Sequence, residues 1–429
     1  MFKTLHLTNA WHGSSGGVAT FYRALMAAAP DAGCQVRLIV PGERDSIEDP
    51  NPWARIYYVR ARRAWLNPAY RLMSPLAYLS PGGAAAKILE AEQPDLVEVC
   101  DKFTLPYLAG LLRTRRHPSL RFRPATVGLS CERLDDNIHA YLGRGSAALR
   151  FARWYMKWIY FPLFDHHITV SAYTAGELRE ASRGHKRQRG VWIRGMGVDA
   201  RLFHPQRRSP LVRRQLCWLS AAPEDAVLVL YAGRLAPEKN AGLLLDTLEI
   251  LAADHDRPYR LLIAGDGILL GELQERARRL PGLVAFLGHV KSRELLADVY
   301  ANCDVFLHPN PQEPFGIAPL EAMASGAALV APDSGGVLSY ANRSNAWLAP
   351  ASPQAMAEAV RAASPGSPGR EDVVAAARRT AEELDWPRVA AGFFELYRDL
   401  ARAVRGEQAS TVSPPAFVST PGNWLGMEV

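Results

Sequence analysis

The sequence lacks most of the features that would assign it at once. Among its 429 residues no uninterrupted apolar stretch approaches the ~18 residues that a spanning helix needs, so an integral helical membrane protein is excluded. The five cysteines (Cys34, Cys100, Cys131, Cys217 and Cys303) are odd in number, scattered and in no paired spacing. Neither a disulfide framework nor a zinc site fits that pattern. No cluster of His, Asp and Glu has metal-ligand spacing, and no nucleic-acid motif occurs. The opening residues, Met1-Phe2-Lys3-Thr4-Leu5-His6, enter a strand-like segment without a charged-then-apolar leader. The expected setting is the reducing cytosol, with no metal cofactor and no nucleic-acid partner.

What is present reads as an ordinary globular chain, 48% apolar and 22% charged. At roughly 150 residues per domain the length suggests two or three domains. Charge divides them. Residues 1–205 carry 28 Lys and Arg against 17 Asp and Glu, whereas residues 206–429 carry 22 against 26. A basic half beside a mildly acidic one implies different partners: nucleic acid, an anionic membrane surface or an acidic substrate for the first.

Short apolar runs alternate with helical periodicity along both halves. Leu5–Leu7, Gln35–Val40, Leu96–Val99, Ala125–Leu129 and His167–Val170 are strand-like in the first. Val227–Tyr231, Tyr259–Ala264, Leu283–Leu287, Val305–Leu307 and Ala328–Val330 are strand-like in the second. Continuous apolar strands separated by helices predict buried, parallel, doubly wound α/β sheets. The polar stretch Pro205–Pro210, where the pattern restarts, reads as an interdomain linker. Two such sheets leave a cleft at the carboxyl ends of their strands. Residues 405–429, rich in Ser, Thr, Pro and Gly, read as a disordered tail.

Four stretches carry chemistry. Gly13-Ser14-Ser15-Gly16-Gly17-Val18 follows the first strand and opens a helix, where backbone amides can meet an anion. A tight turn without ligand fits it equally well. Gly233-Arg234 and Lys239 put two cations five positions apart after a strand, a pair suited to a diphosphate, although a solvated basic loop has the same look. Gly265-Asp266-Gly267, with Gly271, has G-x-G-x-x-x-G spacing, and no acid for a ribose follows at the next strand. A strand-to-helix turn lining the cleft suits it better than a nicotinamide site. The decisive stretch is His308 to Gly326. Glu313 lies in a Pro-flanked loop, Phe315-Gly316-Ile317 opens a helix, and Glu321 sits on that helix eight positions after Glu313. Free amides and carboxylates converge there on a ligand bearing phosphate and vicinal hydroxyls.

Glu313 and Glu321, with the intervening Phe-Gly-Ile and the following Glu-Ala-Met-Ala-Ser-Gly, resemble the E-x7-E motif of the retaining GT-B glycosyltransferases, particularly family 4. Gly233-Arg234…Lys239 is similar to that family's pyrophosphate pair, Gly16-Gly17-Val18 to its first glycine-rich loop, and Phe286–Val290 to its base-binding loop. The resemblance runs from about residue 1 to about residue 404 and is stronger in the second half. It implies two Rossmann-like domains facing a cleft: residues 1–200 for the acceptor, 201–385 for the nucleotide-sugar donor, and a helix at 386–404 crossing back to the first. It implies that Arg234 and Lys239 neutralise the donor diphosphate without a metal, and that Glu321 grips the ribose. Glu313 and the amides of Phe315, Gly316 and Ile317 would hold the sugar, and His289 and Val290 the base. Gly16, Gly17, Gly233, Gly265 and Gly267 would line the donor site. The reaction would move a hexose with retention from GDP-mannose or a UDP-hexose to an envelope lipid, polysaccharide precursor or oligosaccharide. A nucleotide-sugar epimerase and a non-catalytic sugar- or membrane-binding protein remain as rivals.

Two departures stand out. Ser130, followed by Cys131 and Glu132, occupies the place of a His that the family often carries beside the donor sugar; either that function is absent, or Glu132 or Asp101 takes part from a neighbouring strand end. Asn240 stands where Gly is commoner. Separately, Phe151, Trp154, Tyr155 and Trp158 recur at helical spacing beside Arg150, Arg153 and Lys157. That helix suits an anionic membrane surface, with peripheral attachment, but a stripe packed on the domain core is the preferred reading.

Overall fold

Two parallel sheets arise from these alternations in the computed structural model of the chain, which describes residues 1–11, 16–64, 70–142, 145–185, 190–254 and 257–407. The first half supplies strands β1 (Phe2–Thr8), β2 (Cys34–Gly42), β3 (Ser46–Asn51), β4 (Ala54–Arg60), β5 (Arg62–Arg63), β6 (Arg71–Leu72), β7 (Leu96–Cys100), β8 (Ala125–Ser130), β9 (His166–Thr169) and β10 (Val191–Ile193). Eight of them form one sheet in the order β10-β9-β8-β7-β1-β2-β4-β3. Only β3 runs antiparallel in it, against β4, while β5 and β6 make a separate small ladder. The second half supplies β11 (Val227–Ala232), β12 (Tyr259–Ala264), β13 (Val284–Gly288), β14 (Val305–Leu307), β15 (Ala328–Pro332) and β16 (Trp347–Ala349). They form a wholly parallel sheet in the order β13-β12-β11-β14-β15-β16. The two doubly wound sheets are as the apolar runs foretold. The antiparallel β3 is not: Ser46-Ile47-Glu48-Asp49-Pro50-Asn51 is almost wholly exposed, a polar sheet edge without the alternation that marks a strand.

Strand order reverses between β1 and β7 in the first sheet and between β11 and β14 in the second. Loops leaving the carboxyl ends at such a switch point splay apart and leave a crevice. The stretches at Gly233 and at His308 leave β11 and β14 at the second switch point, and the one at Gly265 leaves the neighbouring β12.

The far end of the chain completes the first sheet. β1 turns Leu5 and Leu7 to one core and Thr4, His6 and Thr8 to the other, all fully buried. His6 lies in register with Glu98 of β7 and meets its Oε1 at 2.8 Å. Tyr22 donates to the same oxygen at 3.1 Å, and Tyr397 donates to Oε2 at 2.6 Å. Tyr397 belongs to the helix Trp386–Arg405, which packs Phe393, Phe394 and Leu400 into a core shared with both sheets. A buried carboxylate tolerates few missing partners. Tyr397→Phe should therefore cost about 1–3 kcal/mol, read as a lowered thermal midpoint, with little change in nucleotide affinity. An unchanged midpoint would show that Glu98 finds another donor.

The chain crosses between the sheets at residues 194–200. Val198 bridges Asp385, where the chain crosses back. Arg378 ties the crossing down, donating to the carbonyls of Ala200, Phe203 and Ala324. The expected linker at Pro205–Pro210 is not one. Arg207 pairs with Asp298 at 2.8 Å, Arg208 donates to Gly326, and Ser209 to Asn302, so the stretch is fastened to the second sheet's helices. Its prolines begin a short 3-10 turn and the helix Pro210–Leu219. The tail expected from residue 405 lies, from 408 on, outside the described residues.

Candidate active site in the cleft

After β11 the chain makes a single 3-10 turn, Pro237–Lys239, and leaves it through Asn240 at φ 52°. A left-handed residue there explains why glycine suits the position and why asparagine, which tolerates it, serves. The Asn240 amide also donates to the Pro309 carbonyl at 3.0 Å, joining this loop to the one after β14. Gly265 and Gly267, after β12, lie against this same loop. A β-carbon at Gly265 would collide with the Gly233 carbonyl, and one at Gly267 with that of Leu235. Their immediate role is to let two loops stack.

The loop after β14 brings Glu313 to Lys239, Nζ to Oε2 at 2.8 Å. Asn310 donates to the same oxygen at 3.2 Å, and His308 Nε2 lies 3.9 Å from it. Burial alone would raise the Glu313 carboxyl, but Lys239, with His308 and Asn310, holds it at about 2. Burial also pushes His308 down to about 4 against the pull of Glu313, so it is neutral at pH 7. The Gly336 amide fixes the loop by donating to the Glu313 carbonyl at 2.6 Å. His308 and Asn310 join the site although neither was among the residues expected to form it. Their signal was the polar pair between a buried strand and Glu313.

The helix Ile317–Ser325 starts at Gly316, with φ 90° and no side-chain cap. A β-carbon there would approach the Tyr340 hydroxyl at 2.9 Å, and that hydroxyl donates to the Gly316 carbonyl. Glycine is thus required twice over. The Phe315 ring packs on Tyr340 and against Gly195 of the crossing. Uncapped amides and the helix dipole favour an anion or sugar oxygen at this mouth. Glu321, a turn further on, faces elsewhere. Tyr300 donates to it at 3.3 Å, and Arg293 lies 3.6 Å away. Burial lifts its carboxyl to about 7, only partly offset by Arg293 and Tyr300. The two glutamates share no partner among these contacts: Glu313 is tied to Lys239 and Asn310, Glu321 to Tyr300 and Arg293. His289, by contrast, is exposed beyond the end of edge strand β13, beside a partly buried Val290.

The first sheet supplies the opposite wall. Gly17, at the start of the helix Gly17–Ala32, faces Ile317: a β-carbon on it would lie 3.2 Å from the Ile317 side chain. Gly16 has open space beside it, and Gly13, Ser14 and Ser15 lie outside the described residues. Among the described residues polar contacts span the cleft: Arg234 donates to the Tyr70 hydroxyl at 2.9 Å, and Gln312 to Asp136 at 3.2 Å. Arg234 also pairs with Glu238 at 2.7 Å. Neither Tyr70 nor Asp136 was singled out in the sequence, because contact across a cleft leaves no local pattern.

The acceptor-side candidates are occupied structurally. Asp101 Oδ1 accepts the amides of Phe103, Thr104 and Leu105, and its Oδ2 accepts Asn9. Ser130 is fully buried and donates to the Glu132 carbonyl. The Glu132 carboxylate is exposed and accepts from Asn137. Cys131, partly accessible, comes within 3.9 Å of Cys100.

Comparison with known proteins agrees with this geometry. The family model "Glycosyl transferases group 1" matches residues 215–380, and "Glycosyltransferase Family 4" matches residues 15–199. The GDP-mannose-dependent alpha-(1-6)-phosphatidylinositol dimannoside mannosyltransferase of Mycobacterium tuberculosis is 31% identical over 94% of this chain and 98% of its own length. A GDP-mannose-dependent alpha-mannosyltransferase of Mycolicibacterium smegmatis is 41% identical over 33% of this chain and 34% of its own. Among solved structures, sucrose-phosphate synthase from Thermosynechococcus elongatus superposes with a TM-score of 0.72 at 20% identity, covering 94% of this chain and all of the other. That likeness speaks for the fold alone. Taken with the two sheets and the cleft between them, these matches make the chain a member of glycosyltransferase family 4, a GT-B nucleotide-sugar glycosyltransferase.

Proposed function

We propose that this enzyme transfers mannose from GDP-mannose, with retention, to a lipid-linked acceptor of the cell envelope. The observation that carries the reading is Lys239 poised on Glu313 beside the uncapped helix mouth at Gly316. Support for the donor and for the lipid on the acceptor comes from the full-length relative, whose name specifies GDP-mannose and a phosphatidylinositol mannoside. On donor binding Lys239 turns from Glu313 to the diphosphate and, with Arg234, takes up the charge that grows on it. Glu313, relieved of its cation, accepts hydroxyls of the mannose. The Ile317 helix amides add donors, and Glu321 holds the ribose. Retention is assigned to the leaving diphosphate itself. It accepts the acceptor's proton on the face from which it departs.

The test is turnover with GDP-mannose, UDP-glucose and UDP-galactose against a mannosylated lipid extract, with the anomeric configuration of the product read by NMR. Transfer from GDP-mannose alone, giving an α-linkage, is expected. Conversion of the donor to an isomer without acceptor would replace this reading with epimerisation.

No group of three or more His, Cys, Asp or Glu that could hold a metal occurs among the described residues. Neutralisation is assigned to Arg234 and Lys239 instead, so activity should survive EDTA. Loss of turnover on chelation, restored by Mg²⁺ or Mn²⁺, would overturn that assignment.

A further inference from the structure

We propose that the outward face of the helix Ser146–Tyr155 and its continuation Met156–Tyr160 docks on an anionic lipid bilayer and leads acceptor lipid toward the cleft; the second part rests on the transfer reading above. The preferred expectation, a stripe packed on the core, does not hold for most of these aromatics. Phe151, Trp154 and Trp158 are 61%, 50% and 57% exposed. Spaced i, i+3, i+7, they share one helical face. Packing is done by the other face instead: Ala152, Tyr155, Met156 and Tyr160 are buried, and Tyr155 donates to the Lys102 carbonyl at 2.6 Å.

Charge identifies the occupant. Lys157 Nζ lies 5.2 Å from the centre of the Trp158 ring, and Arg150 and Arg153 are exposed beside Phe151 and Trp154. Among the described residues Glu180, on the helix Ala172–Ser182, faces them 4.0 Å from Arg153, and the His185 ring lies tilted 5.7 Å from that of Trp158. Indole rings with one polar end prefer the headgroup boundary, and cations around them are drawn to anionic lipid. From this face aromatic contact continues inward. Phe151 stacks on Tyr155, and the Tyr155 hydroxyl lies 3.5 Å from that of Tyr107. Tyr107 and Phe103 are themselves 38% and 55% exposed, and the Phe103 amide is bonded to Asp101 at the end of β7. Exposed aromatic rings thus stand both on the docking face and beside the strand ends that wall the cleft, with the buried Tyr155 between them.

The test floats the full chain with phosphatidylcholine vesicles, with and without phosphatidylglycerol, over a range of salt. Binding to the anionic vesicles that weakens as salt screens the surface is expected. The triple variant Phe151→Ser/Trp154→Ser/Trp158→Ser should lose more than about tenfold in partition. Arg150→Gln/Arg153→Gln should lose about fivefold per charge. Nucleoside diphosphate binding, followed by calorimetry, should be unchanged in both variants and shows that they fold. Docking with no mannosyl transfer would leave the surface standing and remove only the delivery of acceptor. Three results would overturn the proposal: no binding of the unaltered chain to anionic vesicles, binding that both variants retain, or a solution dimer that the triple variant abolishes.

Discussion

Lys239→Met is expected to lower turnover by about two to three orders of magnitude, the loss typical of removing a preorganised group that meets charge growing in the transition state. The argument starts from the free enzyme. Lys239 holds the buried Glu313 carboxyl at about 2, at a 2.8 Å contact. Without that ammonium, burial dominates and Glu313 must be accommodated protonated. Two readouts follow. Steady-state kinetics with saturating donor should show the fall in kcat, because the diphosphate leaves without its cation. Thermal unfolding adds a signature in pH. In the unaltered chain the depressed Glu313 adds stability above the unfolded carboxyl's pKa and loses it as pH falls toward 2. In the variant the raised pKa reverses the sign, costing stability that grows as pH rises from the unfolded carboxyl's pKa to the raised one, stays constant above it and vanishes in acid. The difference in melting temperature between the two proteins should therefore widen from pH 4 to pH 8. A difference independent of pH would mean that Lys239 does not govern Glu313.

The second large effect separates the glutamates. Glu321→Ala removes charge-assisted hydrogen bonds to the ribose, each worth ~1.5–3 kcal/mol, so nucleoside diphosphate affinity should fall roughly 10- to 100-fold. Glu313→Ala should leave that affinity nearly unchanged and lower turnover instead, since the diphosphate carries no sugar for it to hold. Their surroundings already differ: one carboxyl is held near 2 and the other is raised to about 7. Ribose hydroxyls donate to the ionised form of Glu321. Nucleotide affinity should therefore weaken as pH drops below 7, by up to about tenfold per unit, and Glu321→Gln should flatten that dependence beyond the ligand's own titration. Equal losses of nucleotide affinity in the Glu313 and Glu321 alanine variants would abolish the division of labour.

Much of this was legible in the sequence because it is written in local pattern. Strands buried on both faces, such as Leu96–Cys100, announce themselves as apolar runs, and the glycine at 316 marks a turn that only glycine can make. What escaped was non-local. Tyr70 reaching Arg234, Gln312 reaching Asp136 and Tyr397 reaching Glu98 join residues between about 160 and 300 positions apart, and no spacing rule encodes them. The edge strand Ser46–Asn51 escaped for the opposite reason: its faces are both wet, so it has no alternation to read. The aromatic helix at 146–160 was ambiguous in principle. A 3.6-residue period shows that a helix has two faces without saying which one the protein covers.

The return of the last helix to the first sheet has a consequence for synthesis. The donor half is contiguous, so it can close as soon as it has left the ribosome. The acceptor half cannot. Its buried Glu98 waits for Tyr397, made 299 residues later, and Phe21 waits for Phe393, whose ring lies 4.8 Å away. At about 5–20 residues per second that interval lasts on the order of 15–60 s. Through it the nascent acceptor half shows an open apolar flank. The earlier domain is thus the later one to mature, and a chain stopped short of residue 386 leaves it unfinished even though every strand of its sheet has been made.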